Sequence, residues 1–321
     1  APGDTALSPE QIDNLVRRTF PYVAMFNVIN KAAMMEENPT RTGWNGTFAN
    51  AGLLDHTMKA IARPNNDTLY VTTIMDLRDD PIVIAYPAFD SKFVALETSA
   101  YDHYCEIPLS TTKGDFQEPK TLLFYTKRTE GYDGEPVEGV DRIIEMTGDF
   151  AIAFLRVMPH AAEPERLKKN LATMKQVEAK TLSEFRGQPA KPVSEVAFPA
   201  YDSDEGIFEN NFLEVMQFVF NHTTFAPKDD LDRELLAAYE PLGVVPGQPY
   251  DPGKVAEIDG SKIRKISEQI FAEEMSKTSD KEFSKKELFD KFLTKGNMTL
   301  ELLLFQSVLG PIGLPAVEAV Y

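Results

Sequence analysis

Leu69-Tyr70-Val71-Thr72-Thr73-Ile74-Met75-Asp76-Leu77 alternates two sets of side chains: Leu69, Val71, Thr73, Met75 and Leu77 against Tyr70, Thr72, Ile74 and Asp76. A period of two is the signature of a β-strand, whose successive side chains point to opposite faces. Similar runs follow in close order: Ile82-Val83-Ile84-Ala85-Tyr86, Phe93-Val94-Ala95-Leu96, Leu122-Leu123-Phe124-Tyr125, Arg142-Ile143-Ile144-Glu145-Met146 and Ala151-Ile152-Ala153-Phe154-Leu155. Each is short, rich in β-formers and bounded by Pro, Gly or Asp. This spacing predicts an antiparallel sandwich or barrel rather than βαβ units.

Outside this block the period becomes helical. Ser8-Pro9-Glu10-Gln11 opens a helix, with Ser8 as cap, Pro9 in the first turn and Gln11 reaching back. Ile12, Leu15 and Val16 mark one face, and the helix is expected to kink or restart at Pro21 before continuing through Phe26 and Ile29 towards Met35. Turn residues follow from Trp44. After Pro164 the residues Leu167, Leu171, Met174, Val177, Leu182 and Phe185 predict one helix ending at Gly187. A linker over 187–199 precedes four expected helices, Phe208 to Phe220, Asp230 to Tyr239, Lys254 to Met275 and Lys285 to Phe292, the last capped by Ser284 and Glu287. The lysine-rich patch from Lys277 to Lys291 reads as a solvated helix face.

The 321 residues, 43 % of them apolar, suffice for a sizeable core and suggest two structural units. Fifty acidic residues against 33 basic ones give a net charge of −17, which argues against nucleic acid or an anionic membrane surface as partner. The lone Cys105 rules out an intrachain disulfide or a cysteine-based zinc cluster and reads as a structural thiol. No apolar run is long enough to span a membrane. The opening Ala1-Pro2-Gly3-Asp4 lacks an initiator methionine, from which we expect a secreted or periplasmic protein whose signal peptide has been removed.

Arg63-Pro64-Asn65-Asn66-Asp67-Thr68-Leu69-Tyr70, followed by Met75-Asp76-Leu77-Arg78 and Pro81-Ile82-Val83-Ile84, resembles the signature of the domain-of-unknown-function 1254 family. The resemblance continues through Tyr101-Asp102 and Phe154-Leu155-Arg156-Val157 and covers roughly residues 20 to 190. A stretch from Asp230-Leu231 to Tyr250-Asp251 looks like the helical connector of these proteins. The resemblance implies an exported protein with a β-sandwich of jelly-roll character, usually followed by a domain-of-unknown-function 1214 module. It implies no reaction, substrate or cofactor.

The expected class is therefore α+β: an antiparallel jelly-roll β-sandwich with an amino-terminal helix and a mainly helical second half. The expected divisions are a helical segment over 1–55, a sandwich with a closing helix over 56–190, a helical connector over 191–310, and over 311–321 the start of a carboxy-terminal β domain that is missing or separate. The chain would then be an amino-terminal fragment or one piece of a nicked protein.

Candidate chemistry centres on the signature. Arg63, Asn65, Asn66, Asp67 and Tyr70 would line the mouth of a sandwich and hold a polar ligand or a cation, although Asn and Asp at such positions also serve turns. Asp76, Asp102 and Arg156 lie on three expected strands and could form a bidentate pair or a ligand clamp. Arg156 alternates with Ile152 and Phe154 and is expected to need a carboxylate partner. Were the protein an enzyme, His103, beside Asp102 and Cys105, would be the general base, with Asp67 and Arg156 as the other catalytic candidates. Asp202, Asp204 and Glu205 resemble a calcium loop only loosely, because the glycine comes early and the twelfth position is Leu213. No cofactor is expected, with calcium kept open.

Two functions fit. The first is a ligand-binding or structural and assembly protein, acting on a small polar ligand, on copies of itself or on its own carboxy-terminal domain. The second is a cofactor-free hydrolase with a polar site at the mouth of the sandwich.

Overall fold

The structure is a computed structural model that describes residues 7–38, 41–50, 68–277 and 294–309. In chain order it contains α1 (Pro9–Met34), β1 (Gly46–Ala49), β2 (Leu69–Asp76), β3 (Ile82–Tyr86), β4 (Val94–Ala100), β5 (Glu106–Ser110), β6 (Lys120–Tyr125), β7 (Arg142–Glu145) and β8 (Phe150–Val157). There follow α2 (Pro164–Met174), β9 (Glu178–Thr181), α3 (Leu182–Phe185), α4 (Gly206–Asn210), α5 (Phe212–Asn221), α6 (Asp230–Tyr239), α7 (Gly260–Lys277) and α8 (Leu300–Leu309). This is a mixed α+β chain, as expected. It divides into a helical unit (Ala1–Val28, Tyr101–Cys105, Glu195–Val317) and a sheet unit (Ile29–Ala100, Glu106–Ser194, Glu318–Tyr321).

The sheet unit holds a five-stranded sheet in the order β1-β2-β8-β4-β5 and a four-stranded sheet in the order β7-β6-β3-β9. Neighbouring strands are antiparallel except β6 and β7, which run parallel. Neither sheet closes on itself. One apolar core takes Leu69, Val71 and Met75 from β2, Ala153, Leu155 and Val157 from β8, Val94 and Leu96 from β4, Ile82 and Ile84 from β3, and Leu122 and Phe124 from β6. Alternation thus works as the sequence predicts on β2 and β8. On β3 and β6 the intervening residues are buried too: Val83 and Leu123 pack with Tyr132, Val137 and Leu182 in a second cluster. Burial on both faces explains why Ile82-Val83-Ile84 and Leu122-Leu123-Phe124 are unbroken apolar runs.

The single helix expected from 164 to 187 is broken. Bonds from Gln176 N to Thr173 O and Val177 N to Met174 O close α2 with a turn. The chain then pairs with the free edge of β3, setting Ala179 opposite Ile84 and Thr181 opposite Ile82. Thr181 both ends this strand and caps α3, its hydroxyl accepting from Glu184 N while Glu184 accepts from Thr181 N. Gly187, at φ +78°, ends α3 as expected. Strands β1, β5 and β9 carry too little apolar alternation to be read from sequence.

In the helical unit the Ser8–Gln11 capping box forms in both directions, at 2.8 and 3.1 Å. Helix α1 runs through Pro21 without restarting, and burial of Leu15, Val16, Val23 and Phe26 outweighs the one backbone bond proline forfeits. Phe20 stacks on Phe208 with centroids 5.7 Å apart, and Phe26 meets Tyr101 and Phe218. Thr19 and Tyr239 share a buried hydroxyl–hydroxyl bond. The expected helix Phe208 to Phe220 is two helices that meet at Asn211, and α7 begins at Gly260 rather than at Lys254. A Cβ at Gly260 would lie 1.8 Å from Glu209 O, so only glycine allows that approach. The helix expected over 285–292 lies outside the described residues.

Candidate functional site

The face of the five-stranded sheet opposite its core is built by the even positions of β2 and β8. Tyr70 pairs with Arg156 and Thr72 with Phe154 in the antiparallel register. The Arg156 guanidinium lies 5.0 Å from the Phe154 ring centroid and 5.7 Å from that of Tyr70. Both ring faces attract the guanidinium through their quadrupoles. Glu97, fully buried on β4, pairs with Phe154 and shares this face. At the end of β2, Asp76 takes a two-pronged bond from Arg78, at 2.9 and 2.8 Å, and Arg78 also packs over Phe150. Asp76 thus pairs with Arg78, two residues along the chain, an arginine not among the sequence candidates.

Asp102 and His103 belong to the other unit, in the segment Tyr101–Cys105. Lys295, just before α8, sets its ammonium 2.8 Å from Asp232 and 3.4 Å from Asp102, both carboxylates fully buried. Lys295 also donates to Thr224 O at 3.1 Å and lies over the rings of Tyr104 and Phe225. Asp232, at the start of α6, accepts from Ala226 N at 2.7 Å as well. Burial pushes Asp232 up to about 6, Lys295 and Ala226 N opposing the rise and Asp102 adding to it. Burial works against the charge of Lys295, and the two carboxylates outweigh it, so its pKa is raised. Tyr104 is shifted up by burial and by Asp232, Asp229 and Asp102, and Tyr22 likewise by burial and by Tyr104 and the same three acids.

His103 has a left-handed backbone (φ 65°) and an entirely buried ring, with no hydrogen-bond partner at either nitrogen among the described residues. Burial lowers it to about 4, so it is neutral at pH 7. Cys105 is a buried thiol that accepts from Gln306 Nε2 at 3.4 Å.

The helical unit also contains a cavity of about 300 Å³, lined by Phe20, Val23, Ala24, Asn27, Val28 and Phe208, with Ser267, Phe271, Ser307 and the acids Asp204, Glu205 and Glu268. Its wall is mostly apolar. Asp204 accepts from Tyr201 at 2.7 Å, and Asp202 from Asn210 at 3.3 Å. No group of three or more His, Cys, Asp or Glu able to hold a metal ion occurs among the described residues.

The sequence candidates therefore fall in separate places. Tyr70 and Arg156 share the sheet face with Glu97, Asp76 binds Arg78, Asp102 meets Lys295 and Asp232, and Asp204 and Glu205 border the cavity. Arg63, Asn65, Asn66 and Asp67 lie outside the described residues. Sequence reasoning missed Lys295, Asp232, Asn27 and Glu268. Only Asp232 left a trace, as an acid in the first turn of a well-patterned helix.

These features define an α+β protein with two open sheets, a helical unit containing a cavity, and no helix among the described residues long and apolar enough to cross a membrane. Residues 45–180 match the model of the family described as Protein of unknown function (DUF1254), the family that the sequence resembles. The match spans β1 to β8 and most of β9. The VPA0106 protein from Vibrio parahaemolyticus shares the fold, with a TM-score of 0.64 at 18 % identity over 95 % of this chain and 69 % of that one. An uncharacterised protein from Burkholderia cenocepacia matches at a TM-score of 0.25 and 13 % identity, over 52 % of this chain and 54 % of that one. No curated protein matches.

Proposed function

We propose that this chain is a ligand-binding protein whose site is the cavity between α1, α4 and α7 in the helical unit. The observation that carries this reading is a half-open pocket of about 300 Å³ walled by Phe20, Val23, Ala24 and Phe208, at the small end of the ~300–1,000 Å³ typical of ligand sites. An apolar ligand seated there takes the surface of Phe20, Val23 and Phe208 out of water, which favours its binding. The acidic composition and the buried single thiol suit the exported setting we propose with it, and the two sheets sharing one core suit a sandwich that serves as a scaffold.

Thermal unfolding followed against increasing 2-phenylethanol tests the reading. Binding to the folded chain alone raises the melting temperature with ligand concentration. An unchanged melting temperature across 2-phenylethanol, indole and cyclohexanol would count against it.

A further inference from the structure

The polar groups in the cavity wall are almost all acceptors. Ser267 spends its hydroxyl proton on Arg264 O and Ser307 on Leu303 O, both at 2.6 Å, leaving only lone pairs. Asn27, 4 % exposed, has an Oδ1 with no hydrogen-bond partner among the described residues. Asp204, Glu205 and Glu268 add three exposed carboxylates. The neighbouring cation Arg264 divides its charge between Glu268 at 3.2 Å and Glu209 at 2.8 Å. The Asn27 amide nitrogen is the remaining side-chain donor among these lining residues.

A neutral or anionic ligand would bring acceptors to a wall that already has them in excess. An ammonium brings three donors and no acceptor, and its charge suits both the carboxylates and the faces of Phe208 and Phe271. We infer that the cavity selects a small organic cation, a primary amine whose apolar body lies against Phe20, Val23 and Phe208 while its ammonium meets the acceptors of the wall. This rests on the cavity-binding reading above and adds the ligand class to it.

Calorimetric titration of the whole chain with three probes of one shape, phenethylamine, 2-phenylethanol and phenylacetate, tests it. Phenethylamine is expected to bind about tenfold or more tighter than 2-phenylethanol, a difference a single charge-assisted hydrogen bond can supply. Phenylacetate should bind weakest. In the double variant Glu205→Gln/Glu268→Gln, whose changes are exposed and isosteric, the amine preference should fall to about threefold or less while 2-phenylethanol binding persists. Circular dichroism identical to the parent confirms that the variant is folded. Equal binding of amine and alcohol, or tighter binding of phenylacetate, overturns the inferred class and leaves the cavity reading standing. No binding by any probe overturns both.

Discussion

Lys295 and Asp232 form a 2.8 Å ion pair in which the carboxylate is wholly buried. Asp102, 3.4 Å from the same ammonium, makes the group one cation between two anions. Removing a buried partner strands a charge, which costs more than the pair itself contributes. Lys295→Met should therefore lower the unfolding free energy by about 3–5 kcal/mol in urea titrations. Adding Asp232→Asn to that variant should recover part of the loss, and no recovery would show that the two do not interact.

The same pair predicts a pH dependence. The folded chain holds the Asp232 proton at about 6, against 3.8 for an ordinary aspartate, so it binds that proton more tightly than the unfolded chain does. The charged carboxylate is thus a cost to folding above pH 6. That cost is relieved as pH falls through 6, and fully so below the unfolded value. The unfolding free energy of the parent minus that of Asp232→Asn should accordingly decrease as pH rises from about 4 to 8. An increase over that range would contradict the assignment.

Leu122 and Leu123 point to opposite faces of β6, and both are fully buried. Alanine at either position should cost about 2–5 kcal/mol, since each leaves a cavity in a packed cluster. If Leu123→Ala proved nearly neutral in chemical denaturation, the second cluster would not be a true core.

Gly260 faces Glu209 O across the approach of α4 and α7. Alanine there should destabilise the chain by about 1–3 kcal/mol, as overpacking does. Wild-type stability of Gly260→Ala, measured in the same way, would mean the helices do not meet as closely as described.

The strands that sequence reveals are those with a full apolar face. Alternation on Leu69 to Leu77 and the runs at Ile82 and Leu122 name β2, β3 and β6 directly, because burial is written into residue type. Strand β9 escapes, since Val177, Leu182 and Phe185 continue a helical spacing from Leu167, and only the open edge of β3 decides for a strand. The candidate sites are less legible for a related reason. Asp102 can be suspected from its neighbours Tyr101 and His103, but Lys295 and Asp232 reach it from distant segments, and neither has a local pattern. Asp204 and Glu205 stand out as an acidic turn, yet their place at the edge of a cavity depends on α1 and α7.

The central claim is that the cavity beside Phe20 and Phe208 takes a ligand. Ala24, partly exposed in its lining, can be enlarged to phenylalanine to fill the space with the protein's own side chain. The most direct measurement is calorimetric titration of the parent and of Ala24→Phe with phenethylamine. Saturable one-to-one binding to the parent and none to a folded Ala24→Phe is the expected result. Equal binding to both would place the ligand elsewhere and contradict it.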